Sequence, residues 1–212
     1  FESKYQVTTF ESYGLSELLF ISTNSKKFLQ KERSVGRLLP AVNIEIINNE
    51  GNILNSRLEG EIVVQTPFIM GGYLNLESKE AAKTYQREDK FPTGDVGYMD
   101  EEGNLFITGR KKDLIIRGGL NISPRVIEEV LLSHEAVQQA CVLGIPHEYY
   151  GEEIVAVIQC KEGYNFEEER PSLLQLCRAN LNEASIPTRF IPKDKFSIGV
   201  TGKIQKQKMR EE

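Results

Sequence analysis

The alternation of apolar and polar positions divides the chain into two textures. From about residue 35 to residue 110, short apolar runs of strand length recur at 42–47, 61–65 and 105–108. Asn48-Asn49-Glu50-Gly51-Asn52 and Asp100-Glu101-Glu102-Gly103-Asn104 separate such runs, with Asn and Gly where tight turns need positive φ. Strands at this spacing predict a barrel or small sandwich. Upstream, Gln6-Val7-Thr8-Thr9-Phe10 reads as a short β-rich run ahead of a turn at Tyr13-Gly14.

After Arg110 the pattern changes. Ser123-Pro124 opens a helix as N-cap and first helical residue. Val126, Ile127, Val130 and Leu131 form its inward stripe, with Glu128 and Glu129 on the solvent side. β-rich runs at 137–145 and 154–160 predict strands, followed by a helix from about 172 to 181 and a last strand near 189–191. The expected fold class is therefore α+β. A β-barrel-like part over 1–110 precedes a small α+β domain over 111–212, with the boundary at Lys111-Lys112.

Composition narrows the function classes. With 212 residues, 40% of them hydrophobic, the chain can bury a core without disulfides or metals. A formal charge of −5 argues against a general nucleic-acid or membrane-surface binder, so any anionic ligand must meet a local basic cluster. Cys141, Cys160 and Cys177 draw neither a disulfide framework nor a zinc pattern, which points to core thiols in a reducing, cytoplasmic setting. No apolar run approaches the roughly 20 residues that span a bilayer. The sequon at Asn121-Ile122-Ser123 then has no meaning.

Four segments carry candidate chemistry. In Phe106 to Pro124, a basic cluster (Arg110, Lys111, Lys112) follows a strand, and Gly118-Gly119 leaves backbone open to close approach. Taken alone this reads first as a solvated basic turn. Tyr13-Gly14-Leu15-Ser16-Glu17 sets an aromatic ring, a hydroxyl and a carboxylate within five residues, suited to a purine and to Mg²⁺ beside phosphates, or to a capped turn. Thr93-Gly94-Asp95 presents a carboxylate that can accept both ribose hydroxyls, although many turns read this way. Thr201-Gly202-Lys203-Ile204 is not a phosphate loop: Gly199 stands too close to Gly202, and Ile204 replaces the required hydroxyl.

In this order the four segments resemble the adenylate-forming enzymes: acyl- and aryl-CoA ligases, peptide-synthetase adenylation domains and luciferases. Gly60-Glu61-Ile62 with Gly71-Gly72-Tyr73, and Gly144-Ile145-Pro146 with Gly151-Glu152-Glu153, extend the likeness from about Thr8 to Arg210. The resemblance implies a two-step reaction. A small-molecule carboxylic acid and ATP give an acyl-adenylate and pyrophosphate, and a thiol, often coenzyme A, then displaces AMP. It also implies roles. Tyr13 and Gly14 would pack on adenine, Ser16 would touch the α-phosphate, and Glu17 would hold Mg²⁺. Asp95 would bind the ribose hydroxyls and Arg110 the ribose or phosphate. Lys203 would bridge carboxylate and α-phosphate, Gly118 and Gly119 would line the thiol tunnel, and Lys112 would be the hinge of a mobile C-terminal domain.

Two departures stand against the family pattern. Val126 occupies a position usually held by Glu, and nothing before Tyr13 resembles the Ser/Thr/Gly-rich phosphate loop. The chain, which opens at Phe1, is expected to be a C-terminal portion of a larger enzyme, inactive alone. The acceptor is expected to be coenzyme A, since Gly118 to Pro124 looks like the acyl-CoA ligase form of its loop. The alternatives are an adenylation domain serving a carrier protein and a non-catalytic nucleotide-binding module.

Overall fold

The computed structural model describes residues 1–27, 31–71, 90–199 and 202–211. Gly72, Tyr73 and Thr201 of the sequence motifs lie outside the described residues. The chain forms two compact units, Phe1–Lys111 and Lys112–Glu212, and the fold is α+β.

The first unit opens with a short helix, α1 (Glu2–Tyr5). Seven strands follow: β1 (Ser12–Leu15), β2 (Leu19–Thr23), β3 (Ser34–Leu38), β4 (Asn43–Ile47), β5 (Gly60–Gln65), β6 (Lys90–Met99) and β7 (Asn104–Arg110). They build one barrel-like antiparallel sheet in the order β1-β2-β3-β7-β6-β5-β4. Leu18, Ile21, Ile62, Val64 and Leu105 are fully buried at its centre. The turns obey their residues. Asn48 Oδ1 accepts the amides of Glu50 and Asn52, Asp100 Oδ1 accepts those of Glu102 and Asn104, and Gly51 and Gly103 supply the positive φ.

Two sequence expectations fail in this unit. Residues 6–10 are not a strand: Gln6 takes a left-handed conformation, and the Glu2 carboxylate captures both the amide and the hydroxyl of Thr9. That local competition satisfies the backbone without a ladder. Tyr13-Gly14 is not a turn either, because both residues lie in β1 at a bulge, and the chain reverses over residues 16–18. A Cβ on Gly14 would sit 2.3 Å from the Leu19 carbonyl oxygen, so this glycine answers to the neighbouring strand.

The second unit contains β8 (Ile115–Arg117), β9 (Leu120–Ile122), α2 (Pro124–Leu132), β10 (Val137–His147), β11 (Gly151–Cys160), α3 (Phe166–Asn180), β12 (Arg189–Pro192) and α4 (Lys206–Glu211). Its sheet runs β10-β11-β8-β9, with β12 parallel to β11. Alternate residues of β11 serve two cores. Ile154, Ala156 and Ile158 pack with Ile127, Leu131 and Leu173 of α2 and α3, while Val155 and Val157 pack with Phe196 and Met209. Cover on both faces explains why the middles of β10 and β11, 140–143 and 154–158, are apolar without alternation.

Helix α3 starts earlier than the sequence suggests. Pro171, which cannot donate an amide, invites a start near residue 172, yet Asn165 caps the helix by accepting the Glu167 amide. The stripe of α2 is narrower than expected as well. Ile127 and Leu131 are fully buried, Val126 is exposed, and Glu128 points inward. Among the described residues no helix is long and apolar enough to cross a membrane.

Candidate functional site

In the first unit, strands β1, β6 and β7 bring three of the sequence candidates together. Asp95 on β6 pairs in register with Arg110 on β7. Gly94, at φ +70°, sits in a bulge of β6 just before Asp95, and the Thr93 hydroxyl pins that bulge by donating to the Ile62 carbonyl and accepting the Asp95 amide. The acid is only 4% exposed. Its Oδ2 accepts a 2.7 Å hydrogen bond from the Tyr13 hydroxyl, and its Oδ1 lies 2.9 Å from Arg110 Nε. Burial, and then the bond to Asp95, push the Tyr13 phenol far above its ordinary range, so the ring remains a protonated donor. A carboxylate offers about four lone-pair sites, so each oxygen of Asp95 retains room for a second donor.

Ser16 and Glu17 occupy the turn after β1. Ser16 is exposed and Glu17 half-buried, and the Glu17 carbonyl accepts the Met70 amide at 2.8 Å. Among the described residues no three His, Cys, Asp or Glu side chains are grouped to hold a metal. A single carboxylate such as Glu17 would hold magnesium only with the other ligands drawn from phosphate oxygens and water.

In the second unit Gly118 and Gly119 form the two-residue turn between β8 and β9, at φ +58° and +82°. Positive φ at both positions is the demand of a type I′ hairpin, so the turn alone accounts for the pair. The hairpin is well fastened. The Gly118 amide donates to the Tyr150 carbonyl, the Arg117 guanidinium lies over the Tyr150 ring at 5.4 Å, and Arg117 also donates to the Ala184 carbonyl. Lys112 is exposed within a short 3-10 turn, while Lys111 pairs with Glu61 at 2.6 Å.

Lys203 is exposed on a small loop near the C-terminus. Below it the Gly199 amide donates to the Lys203 carbonyl, and Ile198 and Ile204 form a bridge. Its side chain reaches solvent from a firmly tied backbone.

Sequence reasoning missed Glu152. Its carboxylate accepts the Ile116 amide at 2.7 Å and joins β11 to β8. A Cβ on Gly144 would stand 2.7 Å from that carboxylate, so the glycine makes room for it. The paired motifs at 144–146 and 151–153 held this signal, since two strands joined by a short turn must set Gly144 near Glu152.

Comparisons with known proteins give the family. Residues 1–74 match the family of AMP-binding enzymes, and residues 126–203 match the AMP-binding enzyme C-terminal domain. Asp95, Arg110, Lys112, Gly118 and Gly119 lie between those stretches. The chain is 35% identical over 204 residues to the mitochondrial medium-chain acyl-CoA ligase ACSF2 of Mus musculus, covering 94% of this chain and 33% of that protein. It is 35% identical over 207 residues to 2-succinylbenzoate–CoA ligase of Geobacillus sp. (strain WCH70), covering 97% and 41%. Among solved structures, o-succinylbenzoate CoA synthetase (MenE) from Bacillus subtilis in complex with the acyl-adenylate intermediate OSB-AMP superimposes with a TM-score of 0.84 at 33% identity, over 95% of this chain and 40% of that one. ATP-bound MatB from Rhodopseudomonas palustris gives 0.88 at 29%, over 99% and 41%. The chain thus spans from a third to about two-fifths of the length of these relatives. Two family models in order along the chain, with relatives matched over nearly all of it, show that it belongs to the adenylate-forming, AMP-binding enzyme superfamily as a C-terminal, acyl-CoA-synthetase-like portion.

Proposed function

We propose that this chain supplies the nucleoside cradle and the lysine-bearing C-terminal domain of an ATP-dependent carboxylic acid:CoA ligase. The observation that carries the reading is the Tyr13–Asp95–Arg110 cluster, a buried acid on β6 held by a phenol from β1 and a cation from the neighbouring β7. In the first half-reaction a substrate carboxylate oxygen attacks the α-phosphorus of ATP. The bond to the bridging oxygen breaks, and pyrophosphate leaves with its electron pair. In the second, a thiol sulfur loses its proton and attacks the acyl carbonyl, and AMP departs.

Each residue has a task in that chemistry. Asp95 accepts the ribose hydroxyls, the Tyr13 ring packs on adenine beside Gly14, and Arg110 meets the ribose or phosphate. Ser16 donates to the α-phosphate. Glu17 would hold magnesium, which when bound would supply neutralisation of phosphate charge. Lys203 bridges the carboxylate and the α-phosphate, where a fixed cation stabilises the charge that develops. Lys112 serves as the hinge between half-reactions, and the Gly118-Gly119 hairpin faces the thiol.

Coenzyme A is the proposed thiol, and the relatives' names as CoA ligases support it. Three free cysteines suit a reducing compartment such as the cytoplasm. These 212 residues hold no Ser/Thr/Gly-rich phosphate loop, so the chain by itself is proposed to give no ATP–pyrophosphate exchange.

The test uses a protein that carries this chain together with the family's phosphate loop. Lys203→Ala is expected to slow adenylation by roughly 10²–10³-fold and to spare thiol transfer from supplied acyl-adenylate. Equal loss in both half-reactions overturns the role of Lys203.

A further inference from the structure

Glu128 should have been a solvent-facing residue of α2, yet its carboxylate does two jobs inside the second unit. Oε1 accepts the Val142 amide at 2.8 Å and lies 2.7 Å from Lys206 Nζ. The two side chains are 16% and 27% exposed. One carboxylate oxygen therefore ties α2 to β10 and to the first residue of α4. Lys206 stands only three residues after Lys203.

The rest of that segment is anchored on the opposite face of the sheet from α2's core. Ile204 and Met209 pack against Cys141, Leu143, Val155, Val157 and Phe196. Ser197 accepts the Gln205 amide, and the Gly199 and Gly202 amides close the loop itself. Apolar contacts and these backbone hydrogen bonds hold the segment to the sheet. A short directional ion pair adds a tie from its far end to α2. Half-buried ion pairs add little net stability, since desolvation offsets their attraction, and their best-attested use is to fix one arrangement among several.

We infer that Glu128 and Lys206 form a positioning pair that aims the Lys203 loop for adenylation. The inference deepens the ligase reading and rests on it for the role of Lys203. Neither member touches substrate. A misplacement of about 1 Å can cost about 10²-fold in rate, so loosening the loop should lower the adenylation rate while leaving ATP affinity intact.

Two measurements test this. In the 212-residue chain, hydrogen exchange at the amides of Gly199, Gly202 and Gln205 is compared for the unaltered protein, Lys206→Gln, Lys206→Arg and Glu128→Gln. Glu128→Gln keeps an oxygen for the Val142 amide but removes the ion pair. The loop amides are expected to exchange at least about tenfold faster in both Gln variants, with β10 and β11 unchanged and Lys206→Arg close to the unaltered chain. Unchanged loop amides overturn the inference. So does equal acceleration through the whole unit, or failure of both Gln variants to fold, since either marks a structural pair alone.

In a protein that also carries the phosphate loop, Lys206→Gln is expected to lower kcat for adenylation about 10- to 100-fold. KM for ATP and thiol transfer from supplied acyl-adenylate should stay unchanged, and Lys206→Arg should recover most of the loss. A rise in KM at constant kcat overturns the inference. If Lys203→Ala leaves adenylation intact, the ligase reading of Lys203 fails, whereas the exchange result still reports whether the pair orders the loop.

Discussion

The hydroxyl of Tyr13 donates a 2.7 Å hydrogen bond to Oδ2 of Asp95, 82 residues further along the chain. The contact makes one unit of two motifs that look unrelated in sequence. It also separates the two properties of the tyrosine, a ring that can stack and a hydroxyl that holds the acid.

Those two properties come apart by substitution. Tyr13→Phe removes a donor to a buried carboxylate and should cost about 1.5–3 kcal/mol of stability, read from urea midpoints. It keeps the ring, so AMP affinity in a protein carrying this chain should stay within about twofold. Tyr13→Ala should weaken AMP binding about 2- to 10-fold beyond any loss seen in Tyr13→Phe. Equal AMP affinities for the Tyr13→Phe and Tyr13→Ala proteins would show that the ring does not meet the base.

The Asp100 turn predicts an acid limit. Burial raises this carboxyl, but donors on Lys31 and Asn104 outweigh it and hold the group well below the ordinary carboxylate range. A folded-state value that lies lower than the unfolded one adds stability above about pH 4, lost as pH falls below that toward the folded value. Asp100→Asn should therefore lower the urea midpoint at pH 7 and flatten its decline between about pH 4 and pH 2. A decline as steep as that of the unaltered chain would exclude Asp100 as its source.

The glycine pair can be read by stability alone. A Cβ on Gly119 would meet nothing within 4 Å, so Gly119→Ala tests conformation without a clash. At φ +82° it should cost about 1–2 kcal/mol. Gly118→Asn should cost less, since Asn tolerates left-handed φ. A neutral Gly119→Ala would mean the hairpin adopts another turn, and close approach by a ligand would regain priority as the reason for the pair.

How much of this was legible in the sequence depends on how local each cause is. Turns at 48–52 and 100–104 depend on their own Asn, Asp and Gly residues, and the structure places them as read. The two-sided burial of β10 and β11 shows as the apolar stretches 140–143 and 154–158. Tyr13-Gly14 misled because glycine serves both tight turns and strands pressed against a neighbour, and the Leu19 carbonyl that decides between them sits across a hairpin. Glu128 was invisible for a similar reason: its partners, Val142 and Lys206, lie 14 and 78 positions away, and the helical period assigns any charged residue to solvent. The cradle itself was legible only as separate motifs, whose meeting required the register of β6 with β7.

The central claim is that the Asp95 carboxylate receives the ribose hydroxyls of the nucleotide. It is tested most directly by titrating ATP and 2′,3′-dideoxy-ATP into a protein that carries this chain with the phosphate loop, with Asp95 and with Asp95→Asn. Hydrogen bonds to a charged group are worth about 1.5–3 kcal/mol, so Asp95→Asn should weaken ATP about 10- to 100-fold and leave the dideoxy nucleotide unchanged. Equal weakening of both nucleotides, or of neither, would contradict the account.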